Sequence, residues 1–178
     1  MQYEKPPLLP EPDEQSAMHS ARVKAHIAAK IDAAGGQISF AEFMHEALYA
    51  EGLGYYKAGA TKFGADGDFI TAPEVSSVFG RVLARQCAEV LAHVENGEVL
   101  EIGAGSGKLA VDMLLALEEL NALPVKYSIL EISPDLKDRQ EELLRARAPH
   151  LVNRLQWLSA LPVNFGGVMI ANEVLDAF

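Results

Sequence analysis

Glu101-Ile102-Gly103-Ala104-Gly105-Ser106-Gly107 joins a carboxylate to three alternating glycines. Glycine carries no Cβ, so the backbone there can lie directly against a bound molecule. Val99 and Leu100 precede this run, and Leu109, Ala110, Met113, Leu114 and Leu117 follow it at helical spacing. That order reads as a buried strand, a tight turn and an amphipathic helix, the opening unit of a nucleotide-type α/β fold. The helix aims its unpaired N–H groups at the bend. Glu101 restricts what can lie there, because a carboxylate repels phosphate and attracts a cation.

Spacing separates three kinds of ligand. A Walker phosphate loop requires a glycine at position 102, which is Ile102, and a metal-binding hydroxyl where Leu109 stands, so that reading fails. A GxGxxG dinucleotide loop would end on Lys108, which weakens a nicotinamide-binding reading and leaves it open. The E-x-G-x-G-x-G loop of S-adenosylmethionine (SAM) methyltransferases fits without a gap. There the ligand brings a sulfonium and an ammonium, which suit Glu101. The plain alternative is a strand–helix turn that holds nothing.

Further candidates follow the loop. Glu131 ends a second strand, 24 positions after Gly107, near the spacing of about 20 for an acid that accepts ribose hydroxyls. Ile132 follows it, and Ser159-Ala160 after a third strand are expected near an adenine. A fourth strand ends at Asn172-Glu173, with Asp176 beyond. Strands one and four flank the switch point where such folds bind ligands, so Asn172, Glu173 and Asp176 are expected on the substrate side. If the chain turns helical there, Glu173 and Asp176 share a face. The ordinary readings are a surface acid at a strand end and a capped helix start.

The elements that hold these residues are legible in turn. Residues 1–13, with four prolines, form a loose N-terminal arm. Residues 14–95 form a helical region with a glycine-rich loop. Ser39 with Glu42 and Thr71 with Glu74 read as capping boxes. The helix from Phe40 should bury Phe40, Phe43, Met44, Ala47 and Leu48. The next clear helix, started at Thr71, has Val75, Val78, Phe79, Val82, Leu83, Gln86, Cys87, Val90, Leu91 and Val94 as its inward stripe. Residues 96–178 form the first part of a Rossmann-like domain with four parallel strands.

Composition sets outer bounds. The chain has 178 residues and 49% hydrophobic content, enough for a core. No run of 18 apolar residues suggests a membrane span. A net charge of −10 argues against a broad nucleic-acid surface. One cysteine, Cys87, excludes an internal disulfide framework and reads as a core residue.

Several runs together resemble the MidA family of SAM-dependent methyltransferases, which includes the mitochondrial complex I assembly arginine methyltransferase. They are Phe40-x-x-Phe43-Met44, Gly54-Tyr55-Tyr56, Gly67-Asp68-Phe69-Ile70-Thr71-Ala72-Pro73-Glu74, the glycine loop, and Asn172-Glu173-Val174-Leu175-Asp176-Ala177. The resemblance spans residues 38–178. It implies a class I methyltransferase sheet, SAM as cofactor, and a protein substrate with a basic side chain, an arginine. It implies bacterial cytoplasm, or the mitochondrial matrix in a eukaryote, and allows for a homo-oligomer. On this reading the loop residues Glu101, Gly103, Ala104, Gly105, Ser106 and Gly107 hold the cofactor with Glu131. Glu173 pairs with the arginine, and Asp68 and Glu74 contribute from an overhanging loop. The family's chains are longer, with further strands. The sequence therefore reads as an N-terminal portion whose fourth strand presents an unpaired edge. Such a piece alone is expected to be poorly soluble, oligomeric or inactive. The alternatives are a nicotinamide-dependent oxidoreductase and a non-catalytic assembly factor that keeps the fold.

Overall fold

The structure, a computed structural model, describes residues 11–57 and 70–174. Asp68, Asp176, and the run from Gly67 to Phe69 lie outside the described residues. The chain divides into two compact units, Met1–Gly59 and Ala60–Phe178.

The first unit pairs α1 (Glu14–Ala33) with α2 (Phe40–Tyr49). Asp13 caps α1 by accepting the Ser16 N–H at 2.7 Å. The expected Ser39/Glu42 capping box closes α2. Glu46 binds His26 Nε2 at 2.6 Å and Lys30 Nζ at 3.0 Å, which ties the helices together. The apolar face expected of α2 is only partly covered: Phe40 is 76% exposed and Phe43 40%. A ten-residue helix packed on one neighbour covers a narrower stripe than its sequence offers.

The second unit is a parallel sheet in the order β3-β2-β1-β4. Its strands are β1 (Glu98–Ile102), β2 (Tyr127–Leu130), β3 (Leu155–Leu158) and β4 (Gly167–Ile170). Helix α5 (Lys108–Glu119) links β1 to β2, and α6 (Pro134–Arg147) with a 3-10 turn (Pro149–Arg154) links β2 to β3. The strands step outward from β1, then β4 returns to its other side. That reversal is the switch point expected from the sequence. Among the described residues β4 pairs with β1 alone. Leu109, Ala110, Val111, Met113, Leu114, Ala116 and Leu117 of α5 are buried, so this helix forms much of the core.

Two helices precede the sheet, the four-residue α3 (Ala72–Val75) and the fifteen-residue α4 (Ser77–Leu91). Helix α4, grouped by sequence with the N-terminal helices, packs on α5 within the second unit. The residues it buries are Gly80, Ala84 and Cys87 rather than the expected valines. Val75, Val78 and Val82 are 74%, 61% and 58% exposed, and Val90 is 45%. Small residues four and three apart let two helix backbones approach, and that closeness turns the bulkier valines outward. Phe79, Leu83 and Leu91 pack at the margin as expected. A Cβ at Gly80 would stand 2.8 Å from Asp112 Cβ. Gly80→Val should therefore cost about 2–3 kcal/mol through overpacking, read as a lower denaturant midpoint in chemical unfolding.

Candidate cofactor-binding site

The carboxyl ends of β1, β2 and β3 lie at one end of the parallel sheet, and β1 runs straight into the glycine bend. Gly103, Gly105 and Gly107 take φ of 65°, 54° and 83°, a left-handed backbone that disfavours side chains. Gly107 is the N-cap of α5 and offers no side-chain cap of its own. Ala104 turns its side chain into the core, and its carbonyl accepts the Gly107 N–H at 2.8 Å. Ser106 Oγ accepts the Lys108 N–H at 3.2 Å and donates to Glu74. Glu74 was expected to close a capping box with Thr71. Thr71 makes no side-chain cap bond, and Glu74 braces the glycine loop instead.

Two carboxylates sit beneath and beside the bend. Glu101 is 2% exposed and accepts the Tyr127 hydroxyl at 2.7 Å. Burial, resisted by that hydrogen bond and aided by the negative charge of Glu131, lifts its pKa from 4.5 to about 7. Burial also raises Glu131, while the Ser133 and Gln140 donors pull it down. Glu131 Oε1 accepts the Ser133 N–H at 2.8 Å, and Oε2 accepts from Gln140 Nε2 at 3.1 Å. Among the described residues neither carboxylate has a cationic partner. Nearby Lys108 is taken by Asp112 at 2.5 Å. A bend flanked by two acids that have no cationic partner among the described residues fits a ligand that carries positive charge and hydroxyl donors. It does not fit a pyrophosphate.

The outer candidates fall around this centre. Ile132, half exposed, follows β2, and the exposed Ser159 and Ala160 follow β3. The register Leu130↔Leu158 puts these turns side by side at one end of the sheet. On the other side of the bend, residues 171–174 are not helical, and Glu173 takes a left-handed φ of 51°. Its Oε1 accepts the Ala72 N–H at 3.4 Å and the Asn172 amide at 3.3 Å. Val174 packs close to Gly103, where a Cβ would stand 3.1 Å from Val174 Cγ2. Glu131 and the bend thus share one end of the sheet. Glu101 lies in the core beneath them rather than open to the cleft.

Sequence reasoning missed Gln140 and Trp157. Gln140 Nε2 donates to Gly105 O at 2.9 Å and to Glu131, and its Oε1 accepts the Trp157 indole N–H at 2.8 Å. A signal was present: Leu136, Gln140 and Leu144 fall four apart, so a glutamine occupies a place on the buried stripe of α6.

Residues 82–178 match the model of a family described as "Putative S-adenosyl-L-methionine-dependent methyltransferase". The chain belongs to this family. The methyltransferase resemblance read from its motifs is therefore sound. A crystal structure from Burkholderia thailandensis, described as a "likely methyl transferase" bound to S-adenosyl-homocysteine, is 44% identical with a TM-score of 0.85. It matches 94% of this chain, which covers 44% of that one. A second Burkholderia thailandensis structure, of an uncharacterised protein, is 43% identical with a TM-score of 0.81. Among curated proteins, the mitochondrial protein arginine methyltransferase NDUFAF7 of Danio rerio is 39% identical over 67% of this chain and 29% of its own length. The Caenorhabditis elegans homologue is 34% identical over 80% of this chain and 34% of its own length. The chain thus spans about a third of these curated relatives. The family uses SAM, and its fold is the class I methyltransferase sheet read from the sequence. The matches favour the methyltransferase reading over the nicotinamide one.

Proposed function

We propose that the protein to which this chain belongs transfers a methyl group from SAM to the side chain of a protein arginine. The observation that carries this is the pair of carboxylates, buried Glu101 and half-buried Glu131, set around a left-handed glycine bend with no cationic partner among the described residues. When bound, SAM supplies an electrophilic methyl group on a sulfonium. The chain's residues bind and aim. Gly103, Ala104, Gly105, Ser106 and Gly107 present backbone, and Glu131 accepts the ribose hydroxyls. Glu101 lends negative charge beneath the methionine end. Ile132, Ser159 and Ala160 border the adenine.

Glu173 is the candidate for the substrate side. Its bond to Ala72 N–H is long and poorly competitive at 3.4 Å, so a guanidinium fork could take that carboxylate. Asn172 orients it, and Asp68 and Asp176 are assigned to the same side from the family motifs. The rate gain in such a site comes mainly from alignment of the acceptor nitrogen with the methyl group. The NDUFAF7 relatives, named protein arginine methyltransferases, support an arginine target, and their mitochondrial place supports the matrix for a eukaryotic protein. Bacterial cytoplasm, a role in complex I assembly, and homo-oligomerisation are parts of the same proposal.

Titration calorimetry of the whole protein tests it. S-adenosyl-homocysteine should bind with micromolar or tighter affinity, and NADH should give no heat of binding. The reverse result would discard the methyltransferase reading. With binding established, transfer of labelled methyl to protein arginine in lysate, lost in Glu173→Ala, separates an enzyme from an assembly factor that only keeps the fold.

A further inference from the structure

Gln140 is 1% exposed in the middle of α6, where a buried amide must place both its ends. Its single NH2 group reaches two acceptors, the Gly105 carbonyl at 2.9 Å and Glu131 Oε2 at 3.1 Å. Its oxygen takes the indole N–H of Trp157, on β3. One side chain therefore joins the glycine bend, the acid at the end of β2, and β3. The contact is also tight: a Cβ at Gly107 would stand 3.0–3.1 Å from Gln140 Cγ, Cα and Cβ.

We propose that Gln140 is a positioning residue for the cofactor: it sets the distance between the glycine bend and Glu131 and so makes the ribose grip. This rests on the reading of Glu131 as the ribose-holding acid. The amide is suited to the task because both groups it separates are acceptors. An NH2 bridging a carbonyl and a carboxylate pulls them together, whereas an oxygen in its place pushes both away.

Gln140→Glu isolates this role. It keeps the shape and the acceptor for Trp157 and replaces only the NH2. At pH 8 a second carboxylate would face Glu131 Oε2 and Gly105 O. At pH 5.5 the two carboxyls would share a proton, which restores the link to Glu131 and removes the charge facing Gly105 O, without replacing the second donor. Other ionisable groups face this cluster: Glu101 on β1, the Tyr127 hydroxyl on β2, and Lys137 on α6, whose Nζ lies 5.8 Å from the Trp157 ring. They are common to wild type and variant, so the difference between the two pH profiles belongs to position 140.

The test is calorimetric titration of S-adenosyl-homocysteine into the whole protein at pH 5.5 and 8. Gln140→Glu should be about tenfold or more weaker than wild type at pH 8 and should recover most of that loss at pH 5.5, where the link to Glu131 returns. Gln140→Leu, which cannot repel, should weaken binding by a similar factor at both pH values. Thermal melting checks that each variant is folded. A Gln140→Glu profile parallel to wild type, with Glu131→Ala weakened, overturns the proposal and leaves the Glu131 reading standing. If Glu131→Ala binds like wild type, the reading of Glu131 fails and this proposal falls with it.

Discussion

Gly107→Val should remove S-adenosyl-homocysteine binding, with affinity down by at least about a hundredfold, and should lower the melting temperature. Two costs add. The residue sits at φ 83°, where an L-residue is strained, by about 1–2 kcal/mol and more for a β-branched one. Its new Cβ would also press on the Gln140 backbone at 3.1 Å, and overpacking of that kind costs about 1–3 kcal/mol. Relief of the contact would move α6 away from the bend and take Gln140 off both Gly105 and Glu131. Gly107→Asn tells the two costs apart, since asparagine tolerates the left-handed backbone but keeps the Cβ. Calorimetry on both variants checks this. Undiminished affinity in Gly107→Val would show that the bend does not shape the site. Gly103→Val acts through a different neighbour. Its Cβ would meet Val174 at 3.1 Å and so disturb the segment that carries Asn172 and Glu173.

Glu101→Gln should move stability and binding in opposite directions. In the folded protein the Glu101 carboxyl is raised from 4.5 to about 7, chiefly by burial. A raised acid binds its proton more tightly folded than unfolded. Stability from this group is therefore full below pH 4.5 and is lost as pH rises toward 7. A rise of that size corresponds to roughly 3 kcal/mol at most. The substituted glutamine would keep an oxygen for the Tyr127 hydroxyl and carry no charge to desolvate. The variant should unfold at higher denaturant than wild type at pH 8 and near wild type at pH 4.5. At pH 8 it should also bind SAM more weakly, because the negative charge beneath the bend is gone. In wild type, binding of a cation favours the ionised carboxyl, so SAM affinity should rise from pH 6 to 8 with release of a proton. A Glu101→Gln variant less stable than wild type at pH 8 would refute the account of a carboxylate held in a costly place for a cationic ligand.

Much of this architecture is legible in local chemistry. The strand–bend–helix run from Val99 to Leu117, the Ser39/Glu42 cap and the acid at the end of β2 all stand where spacing puts them. Each depends on interactions a few residues long: missing side chains at left-handed positions, a hydroxyl three residues before a glutamate, apolar periodicity. The reading fails where a helix has two apolar faces to choose from. On α4 the valines outrank Gly80 and Ala84 in hydrophobicity, yet these small residues are buried beside the expected Cys87, because α5 approaches too closely for anything larger. Glu74 shows the same limit. Its spacing from Thr71 suits a cap, and Ser106, distant in the chain, claims it.

Short-range pattern is enough to place a glycine bend and a downstream acid at one end of a sheet, since backbone conformation and strand length are set within each segment. It could not say that Glu101 lies under the bend bonded to Tyr127, or that Gln140 joins Gly105, Glu131 and Trp157. Those partners come from four separate segments, and their meeting depends on sheet register and on how closely α6 packs. Hydrogen bonds act over about 3 Å, so a polar side chain's role is decided by the final placement of its neighbours.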